Sequence, residues 1–194
     1  RIMKTRTGWV QGYNGQIVVT KDQIILAAVV TQDHNDVQQL DPMLTQAGIN
    51  SDATGEAGAA LGVVLADAGY WSEANAGVAP PGSELVIATR KDWKQRRVLK
   101  TQRAPRGRIP ANLSSRGRME RKLLTRRGKA LYKCRGQTVE PVFGQMKQTQ
   151  NAGHFQLRGL RACDGEWKLH AAVHNLKKLH REQWRQLAQE RKSA

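Results

Sequence analysis

Cysteines, aromatic side chains and long apolar runs are all scarce in this sequence of 194 residues. The two cysteines cannot build a disulfide scaffold and fit a reducing compartment, so we expect a cytoplasmic protein. No run approaches the ~18 apolar residues of a membrane helix, and the N-terminal residues lack the apolar centre of a secretory signal. Hydrophobic residues still make up 39% of the chain, which is enough for a modest core in one domain or a domain plus an arm.

Acidic residues are also few, and their distribution is uneven. The chain holds 32 Lys and Arg against 16 Asp and Glu, and its net charge of +16 makes a polyanion the expected partner. Residues 1–89 contain four basic and nine acidic residues, whereas residues 90–194 contain 28 and seven. The densest stretch, 90–129, has 16 basic residues and two acidic ones. It is either a solvated, disordered loop or a loop that follows phosphates and becomes ordered on binding.

The hydrophobic pattern predicts an α/β fold with a mixed sheet. Tyr13–Thr20 and Gln23–Thr31 are β-branched runs on either side of a polar break, which indicates a hairpin. Asp36–Gly48 has helical spacing and ends at a glycine, and Pro42 lies either in its first turn or at a kink. Two further short strands are expected at Gly62–Ala66 and Glu84–Ala88.

Two helical tracts follow the basic stretch, at about Met119–Gln148 and Glu166–Arg191. In the second tract, Leu169, Val173, Leu176, Leu179, Trp184 and Leu187 form an amphipathic stripe. We therefore expect a sheet-forming part at residues 1–89, a basic insertion or loop at 90–129, and a helical part at 130–194.

Two carboxylates are the leading candidates for chemistry. Asp67 directly follows a buried apolar strand, and ligands in α/β sheets bind at the carboxyl ends of parallel strands. Its alternative role is to cap the turn that follows. Glu140 lies among strong bases, and a helix beginning near Thr138 or Val139 would place it on one face with Gly144 and Lys147. Its alternative role is that of an ordinary first-turn acid, which favours the helix dipole.

Carboxylates at a strand end and on a nearby helix suit Mg or Mn, which prefer oxygen ligands. A metal pair there can activate a nucleophile and stabilise the leaving oxygen in phosphodiester chemistry. The third carboxylate that such a pair needs is not obvious, because Asp22 lies in a hairpin turn and Asp36 is equally suited to cap a helix.

Other residue types give weaker signals. His170 and His174 are four residues apart but lack a third zinc ligand beside them, so they are expected at a core edge or facing DNA. Cys134 and Cys163 are expected to be free thiols.

Three segments together resemble the DDE transposases of bacterial insertion sequences, whose catalytic domain is ribonuclease H-like. GYNGQIVVT with IILAAVVTQDHNDVQQLDPML is similar to the second and third strands of that domain and the helix after them. VLADAGYWS is similar to its second-aspartate motif, and YKCRGQTVEPVFGQMKQTQNAGHFQLRGL to its glutamate block. The resemblance covers roughly residues 8–180.

The resemblance implies a role for five residues. Asp67 becomes the second catalytic carboxylate and Glu140 the third, both as metal ligands. Tyr132, Arg135 and Lys147 become residues that contact the transposon end. Four residues separate Arg135 from Glu140, where the common form of the signature has three.

The first catalytic Asp of the family lies on a strand before the hairpin, and the residues before Tyr13 contain no acid. We therefore interpret the chain as the carboxyl-terminal part of a transposase, with the first strand and the first Asp missing.

In the intact enzyme, the resemblance implies two Mg (or Mn) ions and Mg-dependent cleavage of DNA at the ends of a mobile element, followed by strand transfer. The implied partners are transposon-end and target DNA and a second copy of the chain in a homodimer on DNA, with no membrane. The implied location is the bacterial cytoplasm, at the nucleoid. Two alternatives stay open: a non-catalytic DNA-binding remnant of a transposase, and a basic RNA-binding protein, which would not need Asp67 and Glu140 to meet.

Overall fold

The computed structural model describes residues 2–5, 8–54 and 60–193. The small residues of segment 51–60 predict a loop or a weak helix, and half of that segment, 55–59, lies outside the described residues. In chain order the elements are β1 (Ile2–Thr5), β2 (Gly8–Gln11), β3 (Asn14–Val19), β4 (Ile25–Thr31), α1 (Leu40–Asp52), β5 (Val63–Ala66), β6 (Glu84–Ile87), α2 (Asp92–Thr101), α3 (Ser115–Leu124), α4 (Arg126–Gln150) and α5 (Leu160–Ser193). No helix in these described ranges is long and apolar enough to cross a membrane.

The chain divides into two compact units. The first, called the hairpin unit below, takes the residues up to Asp33 and those from Thr138 onward. The second, the parallel-pair unit, is His34–Gln137. The boundary falls within α4, so that helix contributes to both units.

The predicted hairpin is confirmed as the centre of the hairpin unit. β3 and β4 pair antiparallel, and Lys21 and Asp22 form the turn between them. Helix α5 packs on these strands, where Trp167 is 4% exposed and its indole N–H donates to the carbonyl of Gln16 at 3.1 Å. Gly15 makes this packing possible, since a Cβ there would lie 3.2 Å from the indole ring.

Polar contacts also attach α5 to the hairpin. The side chain of Asn175 accepts from the N–H of Ile25 at 2.8 Å and donates to its carbonyl at 2.8 Å. Asp164 accepts from the N–H of Val30 at 2.9 Å. Side chains of α5 thus form hydrogen bonds with backbone groups of β4 that are not paired with another strand.

The parallel-pair unit contains the two other predicted strands. β5 and β6 pair in parallel, with Val63 opposite Glu84 and Ala66 opposite Ile87. Leu40 and Leu44 of α1 belong to the same buried cluster as Val86 and Leu123. The short apolar run 63–66 is only half-buried except at Ala66, whereas the β6 side chains from Leu85 onward are buried.

Of the two alternatives for the helix expected over Asp36–Gly48, the one that places Pro42 in the first turn is confirmed. Asp36–Gln39 is a 3-10 turn, and α1 begins at Leu40. The helix also continues past Gly48 to Asp52. A helical glycine costs only ~1 kcal/mol relative to alanine, and the buried residues Met43, Leu44 and Ala47 offset it by packing.

The basic stretch 90–129 is mostly helical rather than a loop. It contains α2, α3 and the start of α4, with a connection between Thr101 and Ser115. Apolar contacts explain the order, because Met119 and Leu123 of α3 are 7% and 0% exposed and Leu99 of α2 packs on the same cluster. Its description as an insertion stays a prediction.

Helix α4 does not begin afresh near Thr138. It runs unbroken from Arg126 to Gln150 with Pro141 inside it. Proline has no N–H, so the backbone bond from residue 141 to the carbonyl of Gln137 cannot form. Val142 and Met146, both 0% exposed, bury this part of the helix in the core of the hairpin unit, which accounts for the continuation.

The apolar stripe of the last helix is exposed. Leu169, Leu176 and Leu179 are 64%, 66% and 58% exposed, and the face that packs on the hairpin carries Trp167, Ala171 and His174 instead. At 3.6 residues per turn, the two faces lie on opposite sides of α5.

The mixed α/β class is confirmed, but as small sheets. Each pair of strands, β1/β2, β3/β4 and β5/β6, is a two-stranded sheet, and no ladder joins these pairs within the described residues. The antiparallel pair β1/β2 was not predicted. A single ribonuclease H-like sheet therefore stays a prediction.

Candidate functional site

Asp67 lies at the carboxyl end of β5, as the sequence predicts. It is half-buried, and its Oδ1 accepts a hydrogen bond from the N–H of Gly69 at 2.7 Å. This bond makes Asp67 the cap of the 3-10 turn Ala68–Tyr70. The capping contact that the sequence offered as an alternative is therefore present, and it fixes the direction of the carboxylate.

A second carboxylate, that of Asp36, meets Asp67 at Gly69. The position that a Cβ would occupy on Gly69 is 2.8 Å from Oδ2 of Asp36 and 3.0 Å from Oδ1 of Asp67. Two acidic side chains from separate segments thus converge on a residue with no side chain. Asp36 does not cap the helix it opens, because the cap position before that turn is Asn35.

Asn75 ties the two segments that carry these acids. Its side chain is buried, and its Nδ2 donates to the carbonyls of Val37 at 2.7 Å and Tyr70 at 2.8 Å. Burial raises the pKa of Tyr70 above its ordinary value, and the nearby charges of Asp36 and Asp67 raise it further. The acids and the phenol therefore form one local cluster, in which the sequence analysis assigned a role to Asp67 and left Asp36 open as a third carboxylate or a helix cap.

Glu140 is exposed on α4, next to Pro141 and in the hairpin unit. A Cβ on Gly144, one turn further on, would meet nothing within 4 Å, so this face is open. Lys147 is exposed on the same face, with its Nζ 6.0 Å from the ring centroid of Phe143. The predicted grouping of acid, glycine and lysine along one helix face is present.

Tyr132 and Arg135 are brought together by an acid that the sequence analysis did not single out. The Tyr132 hydroxyl donates to Oδ1 of Asp92 at 2.9 Å, and the Arg135 guanidinium donates to the same oxygen at 3.0 Å. Tyr132 is 7% exposed and the Arg135 side chain 13%, so both lie beneath the surface. Nε of Arg135 is buried and has no hydrogen-bond partner among the described residues.

These contacts shift two pKa values. Burial raises the pKa of Tyr132 to about 12, and the hydrogen bond to Asp92 contributes. For Asp92, burial alone would raise the pKa, but the Tyr132 hydroxyl and the charges of Arg96 and Arg135 outweigh it and lower the value. Asp92 was recognisable in the sequence as one of only two acids among the 16 bases of 90–129.

Two groups among the basic residues of 90–129 differ in their contacts. Arg116, Arg118 and Lys122 of α3 donate to the backbone carbonyls of Thr89, Leu113 and Leu85, so they stabilise the unit itself. The second group, called the outward group below, is exposed on α2 and the connection after it, and consists of Lys94, Arg97, Lys100, Arg103, Arg106 and Arg108. Trp93, which is 62% exposed, lies beside it. The outward group is the larger electrostatic target for a polyanion.

The predictions for histidine and cysteine are confirmed. His174 is 3% exposed, and its Nε2 donates to the carbonyl of Gln23 at 2.8 Å, which places it at a core edge. Neither Cys134 nor Cys163 takes part in a disulfide bond. No group of three or more His, Cys, Asp or Glu that could hold a metal ion occurs in the part of the chain that the structure describes.

Residues 89–180 match the family model of the transposase DDE domain. The match includes Tyr132, Arg135, Glu140 and Lys147, and it confirms the resemblance to a DDE transposase fragment. Neither a curated protein nor a solved structure matches the chain.

DDE transposase domains generally use divalent metal ions, and the donor chemistry near Asp67 fits such an ion. Carboxylate oxygens are the ligands that Mg and Mn prefer, and Mg is commonly held by one or two carboxylates together with water and substrate phosphate. Asp67 offers such an oxygen at the end of β5, and the carboxylate of Asp36 lies near the same glycine.

Proposed function

We propose that the chain is the carboxyl-terminal part of a transposase that, in the intact enzyme, cleaves DNA at the ends of a mobile element and joins them to target DNA in a Mg-dependent reaction. The observation that carries the proposal is the match of residues 89–180 to the transposase DDE domain. It is supported by an acid at the end of a parallel strand, and by a second acid on a helix face that also carries a lysine.

Each residue has a proposed part in that reaction. Asp67 is the second metal-binding carboxylate and Glu140 the third, within a ribonuclease H-like arrangement. The chemistry that divalent ions supply in such sites is activation of the attacking oxygen and stabilisation of the leaving one. Lys147 is exposed on α4, and its proposed part is to bind a DNA phosphate next to the one that is cut.

Tyr132 and Arg135 are proposed to support DNA binding, but their burial prevents direct contact with DNA in their present positions. A direct contact with the transposon end requires Asp92 to release them, since both donate to its Oδ1. Asp92 is also the first residue of α2, which carries outward-facing bases. Holding that helix end in place is the contribution that their present contacts support.

The test is nicking of supercoiled DNA that carries the inverted repeats flanking the coding sequence, with Mg²⁺ or Mn²⁺ and the chain supplied together with any coding sequence that proves to be in frame upstream of it. Activity that is lost in Asp67→Ala and Glu140→Gln and retained in Asp52→Asn supports the proposal. DNA binding without nicking under all of these conditions favours the non-catalytic remnant. Preference for RNA over DNA of the same length contradicts both.

The exposed stripe of α5 favours a homodimer. Positions 169, 173, 176, 180, 183 and 187 alternate in steps of four and three, the spacing of a coiled-coil seam, and Leu169, Val173, Leu176 and Leu187 occupy four of the six. In a parallel pair, the flanking positions bring Ala172 opposite Lys177 and Leu179 opposite Trp184, so no like charges face each other there. A second copy of the chain is therefore the proposed partner of this face.

The dimer is tested by light scattering coupled to gel filtration over a range of protein concentrations. We expect a dimer that Leu176→Glu converts to a monomer. Ile49→Glu, which alters an equally exposed apolar residue on α1, is the matched control and leaves the dimer intact. A wild-type chain that stays monomeric at every concentration contradicts the dimer without affecting the proposed catalytic role.

A further inference from the structure

We propose that the exposed face of α2 binds single-stranded DNA, with an unpaired nucleobase stacked on Trp93 and the phosphates on either side held by the outward group. The inference rests on the proposed function for DNA as the partner. It goes further by naming the form of the DNA and the residue that distinguishes it. The surface lies wholly within the parallel-pair unit, which contains α2 and the connection after it.

The first argument is the arrangement of side chains around α2. Trp93, Arg97 and Lys100 are four and three residues apart, so they lie along one side of the helix. All three are exposed. On the other side, Gln95 is 2% exposed and Leu99 packs on the buried cluster of the unit. The helix therefore presents an indole ring in line with two positive charges, over about 10 Å of its length.

The second argument is charge. Between Asp92 and Glu120 the sequence contains nine basic residues and no acid. The side chains of Arg97 and Lys100 form no ion pair or hydrogen bond with other described residues, whereas Arg96 pairs with Asp92 at 2.9 Å. The charges on the exposed face are therefore available to a polyanion, and no carboxylate in this stretch of sequence repels a phosphate.

The third argument is the exposure of Trp93. The residue is 62% exposed, and the ring contact it makes among the described residues is with Lys94, whose Nζ lies 5.4 Å from the ring centroid. Trp167, by contrast, is 4% exposed and packs on the hairpin. Trp93 therefore adds little to the core and leaves most of its surface to a partner, beside a positive charge.

These features fit a single strand better than a duplex. In a duplex, neighbouring base pairs cover the flat faces of each nucleobase, so Lys and Arg side chains at this surface reach only phosphates. In a single strand, a nucleobase is free to lie on an aromatic ring while basic side chains follow the backbone, which is how proteins bind single strands without reading their sequence. The indole therefore adds affinity for the single strand alone, whereas the basic residues serve both forms.

The test compares binding of the whole chain to a short fluorescein-labelled oligothymidine and to a duplex of the same length, by fluorescence anisotropy. We expect Trp93→Ala to weaken binding of the single strand about tenfold and to leave binding of the duplex unchanged. Trp93→Phe keeps a ring for stacking and is expected to retain most of the affinity.

A matched control removes another exposed tryptophan. Trp9 is 70% exposed in the hairpin unit, and we expect Trp9→Ala to bind the single strand as tightly as the wild type does. Far-UV circular dichroism and thermal unfolding check that each variant is folded.

Salt dependence separates stacking from charge. Arg97→Ala is expected to lower the slope of log affinity against log salt for the single strand by about 0.7, because it removes one phosphate contact. Trp93→Ala is expected to lower the affinity at every salt concentration without changing the slope, because a stacked nucleobase releases no counterion. Oligothymidine is also expected to quench the indole fluorescence of the wild type more than that of Trp93→Phe.

Two results overturn the inference through Trp93: equal single-strand affinity of Trp93→Ala and wild type, or an equal loss of affinity for the single strand and the duplex. Tighter binding of oligouridine than of oligothymidine overturns it as well, because the partner would then be RNA.

The outcomes separate the inference from the proposed function. If Trp93→Ala binds the single strand normally while nicking of inverted-repeat DNA depends on Asp67, the inference fails and the transposase proposal stands. If single-strand binding depends on Trp93 but inverted-repeat DNA is not cut, the binding surface stands and the proposed catalytic role fails.

Discussion

At the scale of single residues, Asp92 contacts three side chains of the parallel-pair unit. Its Oδ1 accepts from Tyr132 and Arg135, and its Oδ2 pairs with Arg96 at 2.9 Å. The acid therefore offsets positive charge at the start of a strongly basic helix, and it satisfies a buried hydroxyl that would otherwise lack a partner.

We predict that Asp92→Ala destabilises the chain by about 1–2 kcal/mol, discounted because the Asp92 side chain is 47% exposed. Tyr132→Phe removes one of the same hydrogen bonds and costs about 1 kcal/mol. Since the two changes share a contact, the double variant loses less than the sum. Urea unfolding of all four proteins measures the coupling, and strict additivity contradicts the shared bond.

Glu166 is a second residue whose environment predicts a measurable effect. Its carboxylate accepts from the N–H of Gln156 at 2.9 and 3.0 Å and from that of Leu157 at 2.9 Å. These backbone hydrogen bonds lower its pKa despite burial, which acts in the opposite direction. The residue thereby holds the connection between α4 and α5.

The lowered pKa sets the direction of the pH effect. Glu166 contributes stability that is present above its ordinary pKa of 4.5 and is lost as the pH falls through the lower value of the folded state. We predict that Glu166→Gln is less stable than wild type at pH 7 by about 1–3 kcal/mol and that the gap narrows toward pH 3. Glu182→Gln, on the exposed part of the same helix, is expected to change little at either pH. A gap that widens in acid rules out this assignment.

At the scale of elements, the sequence predicted local structure well where the apolar residues follow a single strand or helix repeat. The hairpin, the parallel strands and the helical tracts follow from alternation and β-branched runs, and Asp67 follows from its place after a strand. The sequence identified the apolar stripe of α5 but not which face packs: Leu169 and Leu176 are exposed, and the smaller or polar residues Ala171 and His174 are buried instead. The face of a helix that packs against a strand is decided by tertiary contacts, and sequence periodicity does not encode those contacts.

The same limit applies to the candidate site. Asp36 and Asp92 each find partners about 30 to 43 residues away in sequence, and no local motif marks them. A lone sequence shows which acids follow strands, but it does not show which carboxylates converge. The helix start expected near Thr138 failed for a related reason, since the buried contacts of Val142 and Met146 outweigh the missing N–H of Pro141.

Pro141 therefore offers a prediction for α4. Pro141→Ala restores the N–H that can bond to the carbonyl of Gln137, and alanine has a higher helix propensity than proline. We expect a gain of about 1–3 kcal/mol in the free energy of unfolding, reduced by the greater freedom of the unfolded chain. Thermal unfolding measures the gain. Pro110→Ala, in the connection before α3, is the control and should bring no increase, and a loss of stability in Pro141→Ala contradicts the account.

At the scale of the whole molecule, charge separates the two halves of the chain. The bases after residue 89 outnumber the acids by 28 to seven, and the outward group on α2 and the connection after it is exposed. If the chain contacts about 6–10 phosphates, its affinity for duplex DNA falls by about 10³–10⁵ between 50 and 200 mM salt.

Matched lysine variants test where the contacts lie. Lys100→Ala removes one outward charge of α2 and is expected to lower the slope of log affinity against log salt by about 0.9. Lys21→Ala, in the exposed turn of the hairpin, is expected to leave the slope unchanged. Fluorescence anisotropy with a labelled duplex at several salt concentrations gives both slopes, and equal changes in the two variants contradict a DNA surface on α2.

The hairpin unit is discontinuous in sequence, and this has a consequence for its synthesis. The strands β3 and β4 leave the ribosome long before the helix that covers them, since the contacts of Val30 with Asp164 and of Gln23 with Lys178 span 134 and 155 residues. At about 5–20 residues per second, the hairpin waits roughly 7 to 30 seconds for α5. During that interval the surface of Gly15 and Gln16 that Trp167 later covers stays exposed to other chains. The nascent protein is therefore most prone to misassembly while the parallel-pair unit is being made, and slower translation of that middle segment should lengthen the exposure.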